Sequence, residues 1–310
     1  MINIFCNTHD ISIDYILDWL EYYKVPYKRY NSSTFFDNYY PLIYPSNRNR
    51  LYNKQLFWFY KWSHNPSYIP ISDNEELSNN IYNNLRAERD ILFDIFWDFI
   101  PKNNIINHPK FVDVNKYTQL TIAENIGLEI PNTILTRNKI DLINFCKKNK
   151  RIITKNFNSG FFIHSNDGTS YCNYSNILKN EDINKLSDIF FPSLFQEKID
   201  RQFELKIIYI GGDVYPVALL SDDKDEDIRI SKKNKTFPCK IPLELKSKLI
   251  LLMNKLNLDF GTIDMIYNNN SEYVFLEVNP SGQFLGYSNN CNYMIEEKIA
   301  KFLKYRLNKL

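Results

Sequence analysis

Asp264 lies in the run Thr262-Ile263-Asp264-Met265-Ile266, and Glu277 and Asn279 lie in Phe275-Leu276-Glu277-Val278-Asn279. Both runs read as strands, joined across an Asn-rich turn into a hairpin. Side chains alternate along a strand, so Glu277 and Asn279 share one face. The turn length sets Asp264 nearly opposite Glu277, within one residue of register. Three oxygen-bearing side chains then converge from paired strands. Hard Mg²⁺ takes oxygen ligands together with substrate phosphates, so this set suits a magnesium–nucleotide site. The bland alternative is a sheet with one solvated polar face. The apolar neighbours Ile263, Ile266, Phe275 and Leu276 favour partial burial instead, where unpaired carboxylates are costly.

Upstream, Lys116 begins a helix and Lys155 ends a strand. A triphosphate carries roughly four negative charges, which cations must neutralise during phosphoryl transfer. Either lysine alone reads as an ordinary surface residue. The stretch Phe195-Gln196-Glu197-Lys198-Ile199, with Glu204 and Lys206 beyond it, offers backbone groups for an adenine edge and a carboxylate for a ribose. Arg229, in Asp227-Ile228-Arg229 of a charged loop, carries a guanidinium able to grip a phosphoryl oxygen bidentately, or simply to be solvated. No G-x-x-x-x-G-K-[ST], G-x-G-x-x-G or G-x-S-x-G motif is present. His9, His64, His108 and His164 lack metal spacing or a nucleophile partner, and Trp58 and Trp62 read as packing.

The elements that must hold these residues follow from apolar periodicity. Ile2 to Cys6 reads as a buried strand, Asp10 to Ser12 as a helix start, and Ile13, Ile16, Leu17 and Leu20 as one apolar helical face. Val25 to Tyr30 returns as a strand, which makes a β-α-β opening with a parallel sheet. Residues 47–72 read as a strand plus loop packed on that sheet. Residues 75–99 read as a helix with Ile81, Leu85, Leu92, Ile95, Phe96 and Phe99 on one side, ended by Pro101. Helices are expected at 115–127, 138–149, 241–256 and from about Met294 to Leu307. Strands are expected at 151–155 and 195–199, with a hairpin of 205–210 and 214–220. Residues 221–235 form a charged loop, a candidate lid.

Bulk properties bound the reading. The chain has 310 residues and 44% hydrophobic residues, enough for two lobes. A formal net charge of +2 with 24% charged residues argues against general nucleic-acid binding. Five scattered cysteines without a C-x-x-C fit reduced thiols in a cytosol. Residues 1–10 lack a signal-peptide pattern, and no run reaches the ~18 apolar residues that cross a bilayer. A cytoplasmic enzyme without a membrane segment is expected.

The order of these elements resembles the ATP-grasp superfamily: a helix starting at a lysine, a strand-end lysine, a Gln-Glu hinge, an acidic-x-basic triplet, an Asp-x-Arg, and a final Asp…Glu-x-Asn. Within it the chain is most similar to the grasp-with-spasm peptide maturases, related to the microviridin ligases that make graspetides. The stretches that carry this are Asn115-Lys116…Gln119-Leu120…Ala123…Gly127-Leu128…Ile130-Pro131-Asn132-Thr133 and Phe275 to Phe284, whose Asn279-Pro280-Ser281-Gly282-Gln283-Phe284 continuation points to this branch. The resemblance spans nearly the whole chain.

The resemblance implies an α/β ATP-grasp fold with α+β lobes. It divides the chain into a Rossmann-like pre-ATP-grasp domain over 1–110, a central subdomain over 111–200 and a C-terminal subdomain over 201–310. ATP and Mg²⁺ are the implied cofactors, and a precursor peptide, leader and core, is the implied partner. Dimerisation is implied by resemblance alone. Lys116 and Lys155 would contact phosphates, Gln196, Glu197, Lys198 and Ile199 would border adenine, and Glu204 would face the ribose. Lys206 stands where many relatives have Arg. Arg229 would act on the transferred phosphoryl group, with Ile228 replacing the Trp frequent before it. Asp264, Glu277 and Asn279 would bind Mg²⁺. The implied activity is ATP-dependent closure of ester or amide rings between Asp or Glu and Ser, Thr or Lys. The alternatives are a small-molecule ligase like the glutathione synthetases, and an inactive nucleotide-binding regulator.

Overall fold

The computed structural model describes residues 1–31, 52, 54–61, 74–157, 162–164, 170–172, 176–221 and 235–310, with backbone alone at 162–164, 170–172 and 176. Trp62, His64, Arg229 and most of the charged 221–235 segment lie outside the described residues, as do the side chain of His164 and the end of the 156–160 turn.

The N-terminal sheet is parallel, in the order β2 (Tyr27–Asn31), β1 (Ile2–Cys6), β3 (Leu56–Phe59), β4 (Ile105–Ile106). Between β1 and β2 runs α1 (Ile11–Tyr22), started by the Asp10 side chain, which accepts from the Ser12 N–H at 3.0 Å. The expected β-α-β opening is therefore present. The aromatic run around Leu56 differs from expectation. It forms a strand inside the sheet rather than one packed on it, because all four of its residues are buried and only an interior parallel strand covers both faces. One face, with Ile2, Ile4, Leu56 and Trp58, packs on α1 and on the last helix, α9 (Ile295–Asn308). Phe5, Phe57 and Phe59 on the other face pack on α2 (Glu75–Asp98). The buried side of α2 is Phe93, Phe96 and Trp97, whereas Leu85, Leu92 and Ile95 are exposed. Phe96 of the expected side is buried, but Phe93 and Trp97 join it in place of Leu85, Leu92 and Ile95: the aromatic residues bury more area per side chain, and they set the helix rotation.

A short helix, α3 (Pro109–Val112), leads to α4 (Lys116–Asn125), whose N-cap Asn115 accepts from the Thr118 N–H at 2.9 Å. The middle sheet is antiparallel, in the order β5 (Thr133–Asn138), β10 (Ile189–Glu197), β6 (Ile152–Lys155), β9 (Asn176–Ile177), beside the separate pair β7 (Phe162–His164) and β8 (Ser170–Cys172). One of its faces is covered by α5 (Lys139–Lys148) and α6 (Asn180–Lys185) through Leu142, Ile152, Ile183 and Phe195.

The third sheet runs β13 (Lys235–Pro238), β12 (Asp213–Leu220), β11 (Arg201–Ile210), β14 (Phe260–Asn268), β15 (Tyr273–Asn279). Leu205, Ile207, Ile263, Met265, Phe275 and Val278 turn to one face and pack on α4 and on α7 (Leu243–Lys255). Ile208, Ile210, Val217 and Phe260 turn to the other and join the core beneath α1 and α9. A helix not foreseen from the sequence, α8 (Leu285–Cys291), joins β15 to α9.

Asn107, after β4, ties the N-terminal sheet to this third sheet. It is buried at a φ of 52°. Its Nδ2 donates to the carbonyls of Phe260 (2.8 Å) and Pro280 (3.2 Å), and its Oδ1 accepts from the N–H groups of Asp259 and Phe260, both at 3.0 Å. Asn107→Ala strands these buried backbone groups, so unfolding in urea is expected to need about 2–4 kcal/mol less free energy, read as a lower midpoint at unchanged slope.

Candidate active site

The register of the C-terminal hairpin decides whether the site exists. Asp264 pairs with Glu277, and Thr262 with Asn279. Lys206 on β11 pairs with Asp264 from the other side. Paired residues point to the same side of a sheet, so Glu204, Lys206, Asp264, Glu277 and Asn279 share one face. A β-bulge lies between Asp264 and Met265, where the partner changes from Glu277 to Phe275. It makes Leu276 the extra residue. Strict alternation would put Phe275 and Glu277 on one face; the bulge turns Phe275 into the core and leaves Glu277 outside it.

Two carboxylates on adjacent strands repel unless cations stand between them. Lysines from three elements supply the cations. Lys116, at the start of α4, lies 2.9 Å from Glu277 Oε2. Lys206 pairs with Asp264. Lys155, at the end of β6, is within electrostatic reach of both carboxylates. Burial raises the Asp264 pKa from its ordinary value; Lys206 opposes this and the neighbouring Glu277 charge adds to it. Burial pushes Glu277 the same way, but the positive charges of Lys116 and then Lys155 outweigh it and hold the group low. Lys206 loses to burial and gains more from Asp264, so its pKa lies above the usual lysine value.

Asn279 completes the face. Its Oδ1 accepts from the Ser281 N–H at 3.0 Å, which orients the amide oxygen and leaves it a second lone pair. The chain then folds back over Thr262. A Cβ on Gly282 would lie 1.9 Å from Thr262 Oγ1, so only glycine fits this turn. Phe284 beyond it is fully buried. The donor set is oxygen only, two carboxylates and one amide, and among the described residues no group of three His, Cys, Asp or Glu side chains forms a metal cluster. Such a set fits a hard divalent cation that takes its remaining ligands from phosphate oxygens.

The hinge residues divide. Gln196 is buried on the face of β10 shared with Leu194 and, across the ladder, with Ile153 and Lys155 of β6. Its Nε2 donates to Thr133 Oγ1 at 3.1 Å, and its Oε1 has no partner. Glu197 turns to the opposite face, where it accepts from Asn132 Nδ2 at 2.8 Å. The Lys198 N–H donates to the Arg151 carbonyl at 2.9 Å, and Ile199 is half-buried in the link to β11. Glu204 is ion-paired with Arg201 at 2.5 Å. The structure therefore gathers Lys116, Lys155, Lys206, Asp264, Glu277, Asn279 and Glu204 around the third sheet's polar face, and Gln196 beside Lys155. The lysine–carboxylate pairing itself was not legible, because side-chain partners across three elements leave no spacing signal.

No protein-family model and no curated protein sequence matches the chain. Solved structures do. The macrocyclase MdnC of Microcystis aeruginosa MRC, bound with precursor peptide MdnA, superposes with a TM-score of 0.81 at 22% identity, covering 98% of this chain and 99% of that one. A RiPP-associated ATP-grasp ligase of Chryseobacterium gregarium, in complex with ADP and a leader and core peptide, gives 0.77 at 24% identity over 98% and 96%. The chain has the ATP-grasp fold. The ATP-grasp ligase PsnB, complexed with a phosphomimetic variant of its minimal precursor, Mg and ADP, gives 0.73 at 15% identity over 98% of both chains. The expected α/β ATP-grasp architecture is thus the observed one.

The low Glu277 pKa has a measurable consequence. A carboxyl whose folded value is depressed contributes stability above its unfolded value of about 4.3, and loses it as pH falls through the folded value. In magnesium-free buffer, the pH-dependent part of the gap in unfolding free energy between the wild-type chain and Glu277→Gln is expected to be complete at neutral pH. It is expected to fade progressively below about pH 4.3.

Proposed function

We propose that this chain is an ATP-dependent ligase that activates Asp or Glu side chains of a precursor peptide and closes ester or amide macrocycles with Ser, Thr or Lys. The observation that carries the reading is the shared face of Asp264, Glu277 and Asn279 with three lysines around it, in a fold whose solved neighbours include ligases complexed with precursor peptides, ADP and Mg.

In this reading a divalent cation held by Asp264, Glu277 and Asn279 supplies charge neutralisation for the phosphates. Lys116 and Lys155 contact the phosphate oxygens, and Lys206 pairs with the Asp264 carboxyl and offsets part of the cost of burying it. Gln196, Glu197, Lys198 and Ile199 border adenine, and Glu204 faces the ribose. A peptide carboxylate attacks the γ-phosphorus of ATP, and ADP leaves. A hydroxyl or amine of the same peptide then attacks the acyl phosphate carbon, loses its proton and expels phosphate. The enzyme contributes position and preorganised charge and keeps water from the acyl phosphate. Arg229 is the group proposed to grip the transferred phosphoryl oxygens. The proposed division of labour is a precursor-facing domain over 1–110, a central subdomain over 111–200 and a catalytic sheet over 201–310.

Incubating the purified chain with Mg·ATP and a Thr-, Lys- and Glu-rich peptide is expected to yield products lighter by one water per ring, with one ADP formed for each. Steady ATP use with free amino acids and none with peptide would favour the small-molecule reading instead. Glu277→Gln is expected to keep the fold and lower turnover by about 10²–10³. Near-normal turnover in that variant would remove the metal assignment.

A further inference from the structure

Lys116 is a long, flexible side chain at the first turn of a helix, yet its ammonium lies at one oxygen of Glu277. A second residue of the same helix accounts for this. Gln119, three residues on and therefore on the same helical face, is buried with 4% of its surface exposed. Among the described residues β15 is the last strand of its sheet, so no neighbouring strand there meets the outward N–H and C=O of Val278. The Gln119 carboxamide meets both. Its Oε1 accepts from the Val278 N–H at 2.7 Å, and its Nε2 donates to the Val278 carbonyl at 3.1 Å and to the Val114 carbonyl at 2.9 Å. All donors of the amide are used, so the side chain has one arrangement.

Resting on the ligase reading above, we infer that Gln119 is the positioning residue for Lys116. Its amide acts as a one-residue substitute for a sixth strand, locks the first turn of α4 to the backbone next to Glu277, and so sets the Lys116 ammonium over the phosphate subsite. The residue touches neither nucleotide nor metal. It acts through Lys116, and its effect on nucleotide affinity vanishes when Lys116 is gone.

A double-mutant cycle tests this by calorimetric binding of the magnesium complex of a non-hydrolysable ATP analogue. Gln119→Met and Lys116→Met are each expected to weaken binding about tenfold, the scale of one charged hydrogen-bonded contact. The double variant is expected to bind within about twofold of Lys116→Met alone, because linked residues are not additive. A residue that merely caps the edge strand would give losses that multiply, to about a hundredfold, or a lower Tm with unchanged affinity; either result overturns the inference. Should Gln119→Met not fold, Gln119→Asn, whose amide is one methylene too short to span Val278, runs the same cycle. No binding by the wild-type chain would overturn the ligase reading itself. Unchanged affinity in Lys116→Met, with the wild type binding, would overturn the inference alone.

Discussion

Two carboxylates held side by side on a half-buried sheet face are the constraint on which the rest of this molecule turns. Asp264 and Glu277 sit opposite each other in one antiparallel pair, where like charges destabilise the ladder and desolvation penalises both. A sheet formed by β11, β14 and β15 alone would favour protonating one of them. The raised Asp264 and depressed Glu277 show how the conflict is resolved: the group nearer more cations keeps its charge cheaply, and its neighbour bears the penalty. Lys206 comes from the adjacent strand, Lys116 from a helix packed against the far side of the same sheet, and Lys155 from a different sheet. The charge balance of the site is thus also a requirement that a helix and two sheets meet.

That requirement explains why backbone clamps surround the site. An edge strand offers unpaired N–H and C=O groups, and β15 is such a strand. Here the edge is closed by the Gln119 amide at Val278 and by the Glu129 carbonyl, which accepts from the Phe275 N–H at 2.8 Å. At the same open end of the hairpin, Asn107 fastens the start of β14 and the residue after β15 to the N-terminal sheet. Side-chain amides suit this work because each presents donors and an acceptor to a peptide group without adding charge to a face already crowded with it.

Much of this was legible in the sequence where the signal is local. Period-2 alternation, the length of the Asn-rich turn, the Asp10 cap and apolar helical spacing were enough to place the hairpin and the longer helices within a few residues. The shared face of Asp264, Glu277 and Asn279 followed from that register. What escaped was non-local. Phe275 reads in sequence as a same-face neighbour of Glu277, and only the bulge at Leu276 separates them. The run Leu56–Phe59 has no alternation, so its interior place between β1 and β4 depends on partners far along the chain. The α2 pattern was read with Leu85, Leu92 and Ile95 on its apolar side, whereas packing on Phe5 and Phe57 of the sheet it covers buries Phe93, Phe96 and Trp97. Gln119 was visible as part of a familiar stretch, but its partner Val278 is 159 residues away.

The segment that made the chain recognisable, Asn279 to Phe284, owes its form to packing more than to chemistry. Asn279 is its one member on the polar face. Ser281 turns its hydroxyl to the Tyr60 carbonyl on the N-terminal domain, Gly282 passes where a Cβ would collide with Thr262, and Phe284 is buried in the core shared with β1 and α9. The turn thus welds β15 to the N-terminal sheet. Ser281 also holds the Asn279 amide through its backbone N–H, so the same short turn that joins the two sheets orients the amide oxygen proposed as a third ligand. A motif of this kind is constrained from both sides, by the sheet beneath and by the N-terminal sheet above.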